Sequence, residues 1–348
     1  MNNVLVIGGD GFLGRWIVEL LLRRNSDPDQ PNYAISIFDL QQRYFEETLT
    51  YYIGDLTQYE DISSAIVKSR AKFLIHTASP PHGLSSKIYW DVNVGGTKNI
   101  LKACLENDVE KLVYTSSAGV LYDGINDLIN VDETASFPEV FHDSYHETKA
   151  EAEKIVLEAN GQNNLLTCAI RPSAIFGPRD QQLVAGMIKV MERGQTKFQI
   201  GDNFNLFDFT YVENVAYAHL LAMDKLSSDP DIKVGGEAFI ITNGTPIPFW
   251  DMPRFIWSQF NHVPPYYIKL SRAAGLALAY CAEWACYLFN REEGFTRYRV
   301  KFACSSRYFN INKSKTILGY NPPVDLEEGI KRTCGSFVQQ YSKNGKES

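Results

Sequence analysis

Val4-Leu5-Val6-Ile7-Gly8-Gly9-Asp10-Gly11-Phe12-Leu13-Gly14 decides how the rest of the chain is read. Four apolar residues run into a G-x-x-G-x-x-G loop at Gly8, Gly11 and Gly14, and a helix-like stretch, Phe12–Arg24, follows at once. Strand, glycine turn and helix in that order aim backbone N–H groups and the positive end of a helix at one point, which suits a pyrophosphate. The glycines permit the tight turn, the close approach of the ligand and the packing of helix on strand. The stretch therefore predicts a dinucleotide site at Gly8, Gly11, Phe12, Leu13 and Gly14.

Outward from that loop, short apolar runs alternate with helix-like segments. Ile35–Phe38, Phe73–Ile75, Leu112–Tyr114 and Leu165–Ile170 read as buried strands, and Ile62–Ser69, Val92–Asn107 and Tyr145–Ala159 as helices between them. Such alternation implies crossover connections and a mostly parallel sheet covered on both faces. The expectation is an α/β fold: a Rossmann-type doubly wound parallel sheet over residues 1–172, with a smaller mixed α/β substrate-binding region over 173–348. The second half is richer in proline and partly interleaved with the first, with helix-like Gln181–Gly194 and Val215–Lys225 and an apolar strand at Ala238–Thr242.

Composition narrows the function. The chain has 348 residues, 45% of them hydrophobic, and a formal net charge of −7. Those values suit a globular protein with a sizeable core, and no net positive field draws in nucleic acid. Cys104, Cys168, Cys281, Cys286, Cys304 and Cys334 form no C-x-x-C pair and no metal-ligand spacing with the six histidines. No metal site is expected. The first residues lead directly into a strand pattern, so no secretory signal is read and a cytosol-facing protein is expected.

Strand ends then supply candidate ligands. Asp39 closes Ile37-Phe38-Asp39, where a carboxylate accepts bonds from the ribose hydroxyls and repels a 2′-phosphate, favouring NAD over NADP. Asp55-Leu56 follows the apolar run Tyr51–Gly54 and could line an adenine pocket, and Ala78-Ser79 could lie along the cofactor. Each also fits an ordinary turn.

The chemistry is read from Ser144-Tyr145-His146-Glu147-Thr148-Lys149. Ser144 and Glu147 form a capping-box pattern, so a helix should start there. Tyr145 and Lys149 then stand one turn apart on one face. An isolated phenol, with a pKa of about 10, is a poor base at neutral pH. A nearby ammonium, with a positive nicotinamide, would favour the phenolate. Tyr114-Thr115-Ser116-Ser117 ends the fourth core strand and would turn a serine into the same crevice.

In these motifs the chain resembles the extended short-chain dehydrogenase/reductases along nearly its whole length; Asn93-Val94-Gly95-Gly96-Thr97 completes the series. The resemblance implies a catalytic set of Ser117, Tyr145 and Lys149, with Asn93 organising the site. It implies an NAD site that also takes in Ser116, Tyr145, Lys149 and Pro172. Family members usually carry serine or alanine where Asp10 stands, and this aspartate is expected to face solvent. Ala169–Asp180 and Asn205–Val215 are similar to the corresponding stretches of 3β-hydroxysteroid dehydrogenases, above all the decarboxylating sterol-4α-carboxylate 3-dehydrogenases. That likeness implies NAD-dependent oxidation of a sterol 3β-hydroxyl with loss of carbon dioxide. A triterpenoid dehydrogenase, a nucleotide-sugar epimerase or dehydratase, and a non-enzymatic NAD-binding regulator are the alternatives. Arg179 could meet a substrate carboxylate, or else form a structural ion pair or a cofactor contact. A homodimer is expected by analogy alone.

Ala273–Phe289 is the most apolar stretch, 17 residues with Glu283 inside and Lys269, Arg272 and Arg291 flanking it. It is shorter than the roughly 20 residues of a membrane span. A core helix, an interfacial helix and a span all remain open, and a sterol substrate favours association with the endoplasmic reticulum membrane.

Overall fold

The opening strand, β1 (Asn2–Ile7), passes through the glycine loop into α1 (Phe12–Asn25), as the sequence predicts. The structure is a computed structural model that describes residues 2–227, 229, 231–289 and 295–344. Continuing along the chain are β2 (Tyr33–Asp39), β3 (Thr50–Ile53), α2 (Tyr59–Ser69), β4 (Phe73–His76), α3 (Thr97–Glu106) and β5 (Lys111–Thr115). They are followed by α4 (Ser144–Glu158), β6 (Leu166–Pro172), α5 (Val212–Lys225) and β7 (Ala238–Ile241).

All seven strands pair in parallel, in the order β7-β6-β5-β4-β1-β2-β3. The order reverses between β1 and β4, the point at which open α/β sheets bind ligands at the carboxyl ends of their strands. Ile17, Val18 and Leu21 of α1 and Val215, Ala218 and Met223 of α5 cover one face. Ile62 and Ile66 of α2, Ile100 and Cys104 of α3, and Val156 of α4 cover the other. Each face is sealed by helices, which is why the strands are continuously apolar rather than alternating.

A smaller mixed sheet lies over the carboxyl ends, ordered Ile247–Pro248, Leu206–Phe207, Arg307–Phe309, Leu128–Val131. One of its strands comes from the first half of the chain, while α5 and β7 return from the second half to the large sheet. Phe207, Phe209, Phe249 and Trp257 build its core. Among the further helices of this part are α6 (Arg272–Phe289) and α7 (Arg297–Cys304), which precede β8 (Arg307–Phe309).

Three readings change. The segment read as one helix over Val92–Asn107 opens as a π-helix, Trp90–Gly96, before α3. Its wider turn carries the buried Asn93, and π-helical turns recur at functional sites. Helix α4 is capped by Asp143, whose side chain accepts from the His146 N–H, rather than by Ser144 in a capping box. Asp10 is buried, 3% exposed, and accepts from the Arg43 N–H at 2.7 Å instead of facing solvent. The return of the chain at Arg43 gives the carboxylate a donor the sequence does not reveal.

In α6, Gly275 and Ala279 face Ile200 and Val300, and Glu283 receives the Arg297 N–H at 2.7 Å. Leu278, Tyr280, Trp284 and Tyr287 are exposed. No helix among the described residues is long and apolar enough to cross a membrane. Arg291 lies outside the described residues.

Candidate active site

One cavity of about 2430 Å³ runs along the carboxyl ends of the sheet and under the smaller sheet. The predicted cofactor and catalytic residues line it: Gly8, Gly11, Phe12, Leu13, Gly14, Asp39, Asp55, Leu56, Ala78, Ser116, Ser117, Tyr145, Lys149 and Pro172; Asn93 stands behind the lining. The long sequence separations are closed by the parallel sheet, which delivers each strand end to the same edge.

At the cofactor end, backbone geometry is decisive. Gly8 adopts φ +79° and its carbonyl accepts from the Gly11 N–H at 3.0 Å. A Cβ on Gly14 would lie 2.1 Å from that same oxygen, so only glycine brings α1 this close to the turn. Asp39 accepts from the N–H groups of Asp10, at 3.1 Å, and Leu40, at 2.8 Å. Burial raises its carboxyl above the ordinary value, and those N–H groups offset only part of the rise. Asp55 holds its turn by accepting from the Thr57 N–H at 2.9 Å, while Leu56 lines the cavity against Gly96. The residues present fit a dinucleotide: a cradle a Cβ would fill, a helix N-terminus and an acidic strand end.

Tyr145 and Lys149 project from the first turns of α4 where the two ends meet. Burial, and next the Asp143 carboxylate, push the Tyr145 phenol above its ordinary value, with Ser79 pulling down through a hydrogen bond. Lys149 donates to the Thr115 carbonyl and lies 4.3 Å above the Tyr114 ring. Its desolvated ammonium is lowered to about 7. The lysine is thus held by the end of β5 rather than turned against the phenol. Ser117 accepts from the Gly119 N–H at 3.1 Å, and the hydroxyl of Ser116 is buried without a partner among the described residues. Asn93 accepts from Ser79 and donates to Thr148, both at 3.0 Å, tying the loop after β4 to α4.

A histidine cluster surrounds the phenol, and the sequence reading did not include it. The His82 ring lies 4.0 Å from that of Tyr145, and His146 lies 5.1 Å away. His142 stands 4.7 Å from His146 and stacks on Tyr298. Burial lowers His82 to about 4, and burial also lowers His146 while the Asp143 carboxylate pulls it up. His142, Asp143 and His146 gather three metal-capable ligand atoms within 4.8 Å. Asp143 is already engaged there, by the His146 ring at 2.8 Å and the His142 ring at 2.8 Å. The i, i+4 spacing of His142 and His146 was the available signal.

Arg179 meets Glu19 of α1 at 2.9 Å and stacks on Trp16, which is the structural ion pair among its alternatives. It also carries φ +75°, a left-handed backbone that fixes the turn before residue 180.

The fold is an open, doubly wound parallel sheet with a dinucleotide cradle at its switch point. Among solved structures, UDP-glucose 4-epimerase of Thermus thermophilus in complex with NAD superposes with a TM-score of 0.71 at 22% identity, covering 97% of this chain and 99% of that one. The dTDP-glucose 4,6-dehydratase of Bacillus anthracis, also with NAD, gives 0.74 at 19%, covering 98% of each. At such identities the likeness is one of fold.

Residues 5–272 match the model of the 3-beta hydroxysteroid dehydrogenase/isomerase family, and the chain belongs to that family. It is similar to the decarboxylating sterol-4-alpha-carboxylate 3-dehydrogenase of Schizosaccharomyces pombe, 54% identical over 96% of both chains. The protein of that description in Saccharomyces cerevisiae is 45% identical over 96% of this chain and 97% of its own. The mouse protein is 40% identical over 95% and 90%.

Proposed function

We propose that the protein is a sterol-4α-carboxylate 3-dehydrogenase, decarboxylating, that uses NAD. The observation that carries the reading is the single cavity in which the glycine loop, Asp39, Ser117, Tyr145 and Lys149 meet under an aromatic lid, in a chain 54% identical to such an enzyme over nearly its full length.

NAD, when bound, supplies the hydride acceptor and a positive charge beside the phenol. Gly8, Gly11 and Gly14 hold its pyrophosphate, and Asp39 its adenosine ribose. Ser117 steadies the substrate oxygen by a hydrogen bond. Tyr145 takes the proton of the 3β-hydroxyl as the C3 hydrogen departs with its electron pair. Lys149, held at the end of β5, holds the nicotinamide ribose. The new C3 ketone stands β to the C4 carboxylate. The C4–carboxyl bond then breaks, its electron pair passes into the ketone as an enolate, and C4 is reprotonated. Carbon dioxide leaves without a dedicated decarboxylase residue.

Preference for NAD over NADP rests on Asp39, whose carboxylate would repel a 2′-phosphate. Association with the endoplasmic reticulum membrane, facing the cytosol, is part of the same proposal: exposed Leu278, Tyr280, Trp284 and Tyr287 on α6 suit a headgroup boundary. Flotation with phospholipid vesicles checks this; protein left wholly in the dense fraction rejects it. A homodimer, inferred from the family, is checked by sedimentation.

The test of function is purified protein with NAD or NADP and a 3β-hydroxy-4α-carboxysterol. NADH and carbon dioxide should appear in equal amounts, with NADP a poor substitute. NADH without carbon dioxide, or no reduction, rejects the reading.

A further inference from the structure

Arg307 opens β8, in the middle of the smaller sheet, where its carbonyl accepts from the Asp208 N–H at 3.0 Å. Its side chain is 6% exposed and lines the cavity. Around the guanidinium are rings, not anions: Phe302 at 3.9 Å, and Tyr122 and Phe207 both at 4.7 Å. Among the described residues Nε is buried without a hydrogen-bond partner, and Nη2 reaches the Phe302 carbonyl at 3.4 Å. Among the described residues it makes no ion pair.

The contrast with the other buried arginine is direct. Arg171 is met by both carboxylate oxygens of Glu153. A guanidinium has five donors in a fixed fork matched to a carboxylate, and burying one without a counter-charge is costly. Arg307 therefore presents a desolvated fork that lacks its anion, on the wall of the cavity where substrate must sit.

That wall leads back to the reacting groups. Tyr122 lies 5.4 Å from His142, His142 lies 4.7 Å from His146, and His146 lies 5.1 Å from Tyr145. The acidic member of this cluster, Asp143, caps α4 and is held by His142 and His146. Arg179, the arginine the sequence offered for a carboxylate, is committed to Glu19.

We infer that Arg307 is the counter-ion of the substrate's C4 carboxylate, the residue by which this site selects a carboxylated sterol over an uncharged one. The inference rests on the proposed function. The carboxyl is borne by the carbon next to the one that reacts, and the rings of Tyr122, His142 and His146 connect the wall that carries Arg307 to Tyr145. The aromatic rings exclude water from the pair, which strengthens it. They also sort the substrate: an ester or a methyl group at C4 fills the same space but leaves the guanidinium unpaired.

The experiment uses the full chain as wild type, Arg307→Met and Arg307→Lys. NADH formation is followed on the 4α-carboxysterol, its methyl ester and the 4α-methyl sterol. In Arg307→Met the KM for the acid should rise by about 30-fold or more, the range of losses when one partner of a buried charge pair is truncated. The kcat on the acid and both constants on the ester should change by less than about threefold, and Arg307→Lys should recover part of the acid KM. Because the readout is the acid-to-ester ratio, any variant that still oxidises the ester gives an answer, and Lys serves if Met does not fold. Equal losses on acid and ester, or an unchanged acid KM, would overturn the assignment to Arg307. A wild-type enzyme that oxidises the ester and not the acid overturns the functional reading itself, and the inference with it.

Discussion

The two ends of the cavity are built by different means. At the cofactor end the contacts are made by backbone: a turn closed by Gly11 on Gly8, and strand ends whose N–H groups hold Asp39. At the substrate end they are made by side chains from distant segments: His82, His142, Tyr298 and Arg307 converge from four parts of the chain. A backbone site tolerates almost no change in residue size. A side-chain site can change its ligand by changing one residue, which is how one fold serves many substrates.

The sharpest way to break the contrast is Gly14→Ala. The added Cβ would sit 2.1 Å from the Gly8 oxygen, so the loop must open, at about 1–3 kcal/mol or more in stability. Thermal unfolding should fall and NAD titration should weaken at least tenfold; unchanged affinity would mean the loop does not cradle the cofactor. Asp39→Ala is a milder probe of the same end. It should weaken NAD far more than NADP, and equal losses on both would remove the ribose role.

A smaller effect comes from inside the smaller sheet, behind the substrate end. Asp208, 1% exposed, accepts from the Phe309 N–H at 2.8 Å, and burial raises its carboxyl to about 7. The folded value lies above the ordinary one near 3.9, so the folded state binds this proton more tightly than the unfolded chain. The contribution is full below about pH 4 and is lost as pH rises through about 7. Relative to wild type, Asp208→Asn should therefore gain stability between pH 5 and pH 8, on the order of 2 kcal/mol. A pH-independent difference between the two melting curves would contradict this.

The same contrast explains what the sequence disclosed. Gly8, Gly11, Gly14, the apolar strands and the Tyr145–Lys149 spacing are local patterns, each set by a backbone period, and the structure places them at one edge of the sheet. Asp10 was misread because its donor, the Arg43 N–H, arrives from 33 residues away. Arg307 carries no local mark at all. It becomes visible only when β8 pairs with Phe207 on one side and Leu128 on the other, bringing it over Tyr122. Helix α6 is ambiguous for a related reason: its apolar composition reads alike for core and surface, and Glu283 is explained by its ion pair with Arg297 of α7.

The central claim is that Tyr145 is the base in this cavity when a sterol is oxidised at C3 by NAD, which releases the C4 carboxyl. It is tested most directly by a single turnover of a C3-deuterated 3β-hydroxy-4α-carboxysterol, with Tyr145→Phe in parallel. Wild type should place the deuterium in the reduced cofactor and release one carbon dioxide for each. The phenylalanine variant should still bind NAD but lose both products by a factor of about 10²–10⁴. Undiminished products in that variant, or reduction without deuterium transfer, would contradict the account.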